Sequence, residues 1–159
     1  MTADKTQRLK SLLNGEGLLQ PKALLIEDSQ FDVVYIKKII EVQFPFTLID
    51  NAESKKQAIE HLKNSRYDVI LLDLHLPDND GPNIIKDIKE HSAKTPTILV
   101  SAHTDNKTIE RALQLGAEDV INKRDLLSET FTNTMEANLK IAIGFEDKEE
   151  NITPGTLSA

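Results

Sequence analysis

The stretch Asp68-Val69-Ile70-Leu71-Leu72-Asp73-Leu74-His75-Leu76-Pro77-Asp78-Asn79-Asp80-Gly81-Pro82 decides how this chain is read. Val69 to Leu72 is an apolar run without alternation. Such a run reads as a strand buried on both faces, the signature of a parallel sheet covered by helices. Pro77, Asn79, Gly81 and Pro82 then break the chain into a loop before the next helix. Asp73 stands at the carboxyl end of the strand, where open α/β sheets place their ligands. A lone strand-end Asp can equally be a turn residue, so the rest of the chain must decide its role.

Working outward, the pattern recurs. Ala23-Leu24-Leu25-Ile26 ends on Glu27-Asp28, Thr97-Ile98-Leu99-Val100 ends on Ser101-Ala102, and Asp119-Val120-Ile121-Asn122 leads to Lys123. Phe46-Thr47-Leu48-Ile49 supplies one more strand. Helices are expected between them. Ser29 with Asp32 three residues later makes a variant capping box, opening a helix that carries Phe31, Val34, Tyr35, Ile39 and Ile40. Asn51 or Ser54 caps the next, with Ala58, Ile59 and Leu62 inward. Pro82 suits the first position of a helix through Ile84, Ile85 and Ile88. Asp105 caps a helix with Ile109, Ala112 and Leu113, which Gly116 ends. Asp125 or Ser128 opens the last, with Leu126, Leu127, Phe131, Met135 and Leu139. Alternating strands and helices imply an α/β fold: a five-stranded parallel sheet with right-handed crossovers and helices on both faces.

Composition narrows the function. The chain of 159 residues suits one domain with a real core. Its net charge of −7 argues against non-specific nucleic-acid binding, which needs clustered Lys and Arg, so no nucleic-acid partner is expected. Without cysteine there are no disulfides and no thiolate chemistry. No apolar run approaches the ~18 residues of a membrane span, and Met1 to Lys10 lacks the apolar core of a signal peptide. The expectation is a cytoplasmic protein with no membrane partner. Residues 1–20 form an N-terminal extension, in which Leu9, Leu12 and Leu13 before Asn14-Gly15 suit either a short helix or a frayed leader. Residues 21–142 hold the α/β domain, and the polar, acidic residues 143–159 read as a mobile tail.

The strand ends can now be compared. Glu27, Asp28, Asp73, Ser101 and Lys123 all lie at carboxyl ends, which a doubly wound sheet brings to one edge. Three carboxylates held close repel, so they must take up protons or share a cation. An oxygen-only site with open positions suits Mg²⁺. A hydroxyl and an ammonium beside such an ion are what the remaining oxygens of a phosphoryl group need.

These residues carry a resemblance. Leu24-Leu25-Ile26-Glu27-Asp28-Ser29, Asp73 with Leu76-Pro77-Asp78 and Asp80-Gly81, Val100-Ser101-Ala102, and Gly116-Ala117-Glu118-Asp119 followed by Lys123 resemble the receiver domain of two-component response regulators, over about residues 21 to 142. The resemblance implies a flavodoxin-like (βα)5 fold with strand order 2-1-3-4-5. It implies Asp73 as the acceptor of a phosphoryl group from a histidine kinase or histidine phosphotransfer protein. Mg²⁺ (or Mn²⁺) would be bound by Asp28, Asp73 and the backbone carbonyl of His75, with Glu27 acting through a metal-bound water. Lys123 would pair with a phosphoryl oxygen, and the Ser101 hydroxyl and Ala102 amide would hold others. The chain would be a stand-alone signalling protein acting through protein contacts, not an enzyme beyond its own phosphorylation and dephosphorylation. Some members of that family dimerise through the fourth and fifth helices, which makes a homodimer one expectation.

Three positions depart from the family pattern. Val120 stands where the family usually has Tyr or Phe, so a swinging ring cannot carry the switch. Arg124 follows Lys123 where proline is usual, so a trans Lys123–Arg124 bond is expected, since a cis bond costs a non-proline residue ~3–4 kcal/mol. His75 and His103 occupy the variable positions that border the phosphoryl group in the family; they are either tuning residues or two solvated loop histidines. Two other readings compete. One is a receiver-like interaction module that works without phosphorylation. The other is a Mg²⁺-dependent phosphohydrolase of the haloacid dehalogenase type, but that family wants a second Asp where this chain has His75.

Overall fold

The computed structural model of the chain describes residues 20–45, 47–103 and 105–142. Residues 1–19 of the expected extension and the tail expected from 143 lie outside the described residues. Five strands form one sheet: β1 (Lys22–Ile26), β2 (Leu48–Ala52), β3 (Val69–Leu72), β4 (Thr97–Ser101) and β5 (Asp119–Asn122). All neighbours pair in parallel, in the order β2-β1-β3-β4-β5, as the resemblance implied. The crossovers are α1 (Gln30–Gln43), α2 (Lys55–Asn64), α3 (Ile84–His91) and α4 (Asn106–Gln114), and α5 (Glu129–Ala142) follows β5. Among the described residues, no helix is long and apolar enough to cross a membrane.

Two-sided burial explains the apolar runs. Within β1, Ala23 and Leu25 enter a core shared with Val33, Ile36, Ile39 and Ile40 of α1 and with Phe131, Met135 and Leu139 of α5. Leu24 and Ile26 enter the opposite core, with Ala58 and Leu62 of α2, Ile84, Ile85 and Ile88 of α3, and Ala112 of α4. Every residue of β3 is likewise buried. At roughly 1.5–3 kcal/mol for each large apolar side chain removed from water, these two layers are the main force holding the strand ends at one edge.

Several expectations shift. β2 is Leu48–Ala52, starting two residues later than the apolar run that suggested it. It is an edge strand and half-buried, so it accommodates Asp50 and Asn51; Ser54, not Asn51, caps α2 by accepting from the Gln57 amide. α3 starts at Ile84, leaving Pro82 in the turn before it. On α1, Phe31, Val34 and Tyr35 point outward, because the stripe Val33, Ile36, Ile39 and Ile40 is the one against the sheet. Leu126 and Leu127 precede α5; the first is buried and the second is exposed. On α4, Ala112 is buried while Leu113 is nearly half exposed.

Candidate functional site

Main-chain hydrogen bonds fix the acidic edge. Where β1 ends, the Glu27 amide donates to the Ala52 carbonyl at 2.9 Å, and the Asp73 amide donates to the Ile26 carbonyl at 2.9 Å. Asn51 locks the same corner: its Nδ2 donates to the Leu25 carbonyl at 2.9 Å and the Glu27 carbonyl at 3.1 Å. The loop after β3 folds into a two-residue hairpin, His75 opposite Asp80 and Leu76 opposite Asn79. Gly81, at φ +109°, returns the chain to α3, a backbone conformation natural only to glycine. Asp78 straps this hairpin to α2, accepting from the Lys55 and Lys56 amides at 2.8 and 3.0 Å. There its negative charge also meets the positive end of the helix dipole.

On this frame the side chains converge. Oxygens of Glu27, Asp28 and Asp73 all lie within 4.8 Å of one another. Glu27 and Asp73 are buried, at 1 % and 7 % exposure, while Asp28 opens to solvent. Lys123 Nζ reaches across from the end of β5, donating to Glu27 Oε1, to Asp32 Oδ2 at 2.8 Å and to Asp73 Oδ2 at 3.2 Å. One ammonium cannot offset this many carboxylates. Burial pushes the Glu27 carboxyl up to about 8; Lys123 opposes that shift and Asp73 adds to it. Burial would lower the Lys123 ammonium, but Asp32, Glu27 and Asp73 outweigh it and hold it above its ordinary value. Lys123 holds the Asp32 carboxyl below the usual range. A cluster of oxygen donors, partly buried, open at Asp28 and short of positive charge fits a hard divalent cation such as Mg²⁺.

Of the residues singled out in the sequence, Glu27, Asp28, Asp73 and Lys123 are brought together. Ser101 is fully buried at the end of β4, and its hydroxyl donates to the His103 carbonyl at 3.4 Å. Ala102 and His103 are exposed. His75 is exposed beside Asp73, with its amide 3.3 Å from Asp73 Oδ1 and its ring Nδ1 2.8 Å from Asp80 Oδ1. Val120 is half-buried against the α2/α3/α4 core. No peptide bond is cis among the described residues, so Lys123–Arg124 is trans as expected. The loop there tightens into a 3-10 turn, Lys123–Asp125, capped by Asn122 Oδ1 accepting from the Arg124 amide at 2.9 Å.

Two further residues contact this cluster. Asp32 fits the acid of a capping box, and its backbone amide does donate to Ser29 Oγ at 3.4 Å, but its carboxylate goes to Lys123, 91 residues away. Asn51, one of two cap candidates for α2, lies instead in β2, where its side-chain amide braces the Glu27 backbone.

The site decides the family. A family model described as "Response regulator receiver domain" matches residues 23–131. The chain belongs to the response regulator receiver domain family. The chemotaxis protein CheY of Bacillus subtilis is 32% identical over 102 residues, covering 64% of this chain and 84% of that protein. Transcriptional regulatory protein YdfI of the same species is 32% identical over 119 residues, 75% of this chain but 55% of that protein. The chain thus spans only about half the length of some curated relatives it matches. A crystal structure of a two-component response regulator from Clostridium difficile superposes with a TM-score of 0.69 at 26% identity, covering 76% of this chain and 97% of that one. Since one relative is a transcriptional regulatory protein by name, receiver membership does not by itself set nucleic acid aside.

Proposed function

We propose that this receiver accepts a phosphoryl group on Asp73 from a phosphohistidine of a histidine kinase or phosphotransfer protein, and signals through protein contacts as a cytoplasmic switch. The observation that carries the reading is the convergence of Asp73 with Glu27, Asp28 and Lys123 at one edge of the sheet. A carboxylate oxygen of Asp73 attacks phosphorus in line, an O–P bond forms, and the P–N bond breaks with its electron pair leaving on the donor imidazole. Little covalent work is left to the protein beyond positioning and charge neutralisation. A divalent cation held by Glu27, Asp28, Asp73 and the His75 carbonyl would neutralise charge on the transferring group. Lys123 is within reach of Asp73 to pair with a phosphoryl oxygen.

Ser101 and the Ala102 amide would hold the remaining oxygens. For that, the Ser101 hydroxyl must leave the His103 carbonyl, a long hydrogen bond that costs little to give up. Its turn toward Asp73 would free the segment after β4, a switch that needs no aromatic ring at Val120. The donor must reach a nearly buried Asp73, so it docks on this edge. The groove of about 360 Å³ beside Lys123, lined by Phe31, Tyr35, Leu126 and Arg124, offers apolar surface there. No further catalysis is assigned beyond the chain's own phosphorylation and dephosphorylation.

The test is incubation with a small phosphodonor and Mg²⁺. One base-labile phosphate is expected on the wild type and none on Asp73→Asn. Absence of phosphate with every donor would favour the phosphorylation-independent interaction module instead.

A further inference from the structure

The Lys123 ammonium has three N–H groups and three carboxylate partners: Glu27, Asp32 and Asp73. Two of these, Glu27 and Asp73, belong to the group that can hold a metal ion; Asp32 does not. A divalent cation on Glu27, Asp28 and Asp73 would draw on two of the carboxylates that hold the ammonium and would repel it. Asp32 is the one partner Lys123 would keep. It sits in the first turn of α1, where the helix dipole favours a carboxylate. Its amide is engaged in the Ser29 cap, so its backbone is fixed while the carboxylate reaches over to Lys123.

We propose that Asp32 is a positioning residue, holding the Lys123 ammonium beside Asp73 while a divalent cation occupies Glu27, Asp28 and Asp73. Without it, the lysine falls back on Glu27 and Asp73 and competes with the metal. With it, metal and ammonium coexist, flanking the position of an incoming phosphoryl group from two sides. The inference rests on the reading of this edge as a receiver's phosphorylation site.

Calorimetric titration of the full chain with magnesium chloride, without phosphodonor, tests it. Asp32→Asn is nearly isosteric and is expected to bind Mg²⁺ about three- to tenfold more weakly than wild type. Asp32→Glu, which keeps the charge, should recover most of that loss. In a Lys123→Met background the Asp32→Asn effect should vanish, because Asp32 acts through the ammonium. A plain Coulomb pull of Asp32 on the metal would persist in that background. Equal affinity in wild type and Asp32→Asn, an undiminished deficit in the Lys123→Met background, or no Mg²⁺ binding by any form overturns the proposal. A failure to phosphorylate Asp73 would leave these titrations intact, so the two readings fail separately.

Discussion

Replacing Lys123 by methionine removes the cation that bridges a cluster of carboxylates while keeping most of the side chain's volume. Glu27 is 1 % exposed and loses its nearest counter-charge. Breaking a buried ion pair by deleting one partner typically costs ~3–5 kcal/mol. Glu27 escapes part of this by keeping a proton, since burial already pushes its carboxyl up to about 8. What remains is the loss of charge-assisted hydrogen bonds to Asp32 and Asp73, so about 2–3 kcal/mol is expected without metal. Mg²⁺ stabilises both forms, so it narrows that gap only by the difference in their affinities. Tenfold tighter binding by the variant, in which no ammonium repels the cation, narrows it by ~1.4 kcal/mol. Urea unfolding of wild type and Lys123→Met, with chelator and with Mg²⁺, measures both quantities. A destabilisation of the same size in the two conditions would refute the view that the Lys123 ammonium and a metal repel each other across this cluster.

Asn51→Ala should destabilise by about 1–3 kcal/mol in urea unfolding, because two hydrogen bonds to the Leu25 and Glu27 carbonyls are lost; calorimetry should show weaker Mg²⁺ binding as Glu27 loosens. Gly81→Ala should cost about 1–2 kcal/mol in thermal unfolding even though open space surrounds the site, since φ is +109° there. Asp50 is held below its ordinary 3.8, chiefly by the Tyr67 hydroxyl at 2.7 Å, with Lys22 adding. A depressed folded-state pKa gives stability that is present above the unfolded value and is lost as pH falls through the folded one. Asp50→Asn should therefore be less stable than wild type at neutral pH, by about 0.5–1 kcal/mol after allowing for its exposure to solvent. The difference should close below pH 3.8. A gap that persists in acid would point to shape rather than charge.

How much of this was legible depends on what each residue's neighbours are. β1, β3 and β4 are buried on both faces, so their apolar runs alone marked them. β2 lies at the sheet edge and mixes Asp50 and Asn51 into its strand, so its apolar residues pointed two positions too early. α1 carries more apolar residues than its buried stripe needs, and periodicity could not say that Val33 and Ile36 turn inward while Phe31 and Val34 turn out. The strand-end acids and Lys123 were readable because parallel topology alone brings such ends together. Asp32 was hidden for the opposite reason. Local spacing explained it fully as a cap, and its partner comes from the far end of the sheet.

The proposed function turns on phosphorylation at Asp73. The most direct measurement is to incubate the full chain with a small phosphodonor and Mg²⁺, reduce with borohydride, and sequence the peptides by mass spectrometry. Reduction converts an aspartyl phosphate to homoserine, which is expected at position 73 and nowhere else. Homoserine at another acid such as Asp28 or Asp32, or unmodified Asp73 in protein that carries phosphate, would contradict it.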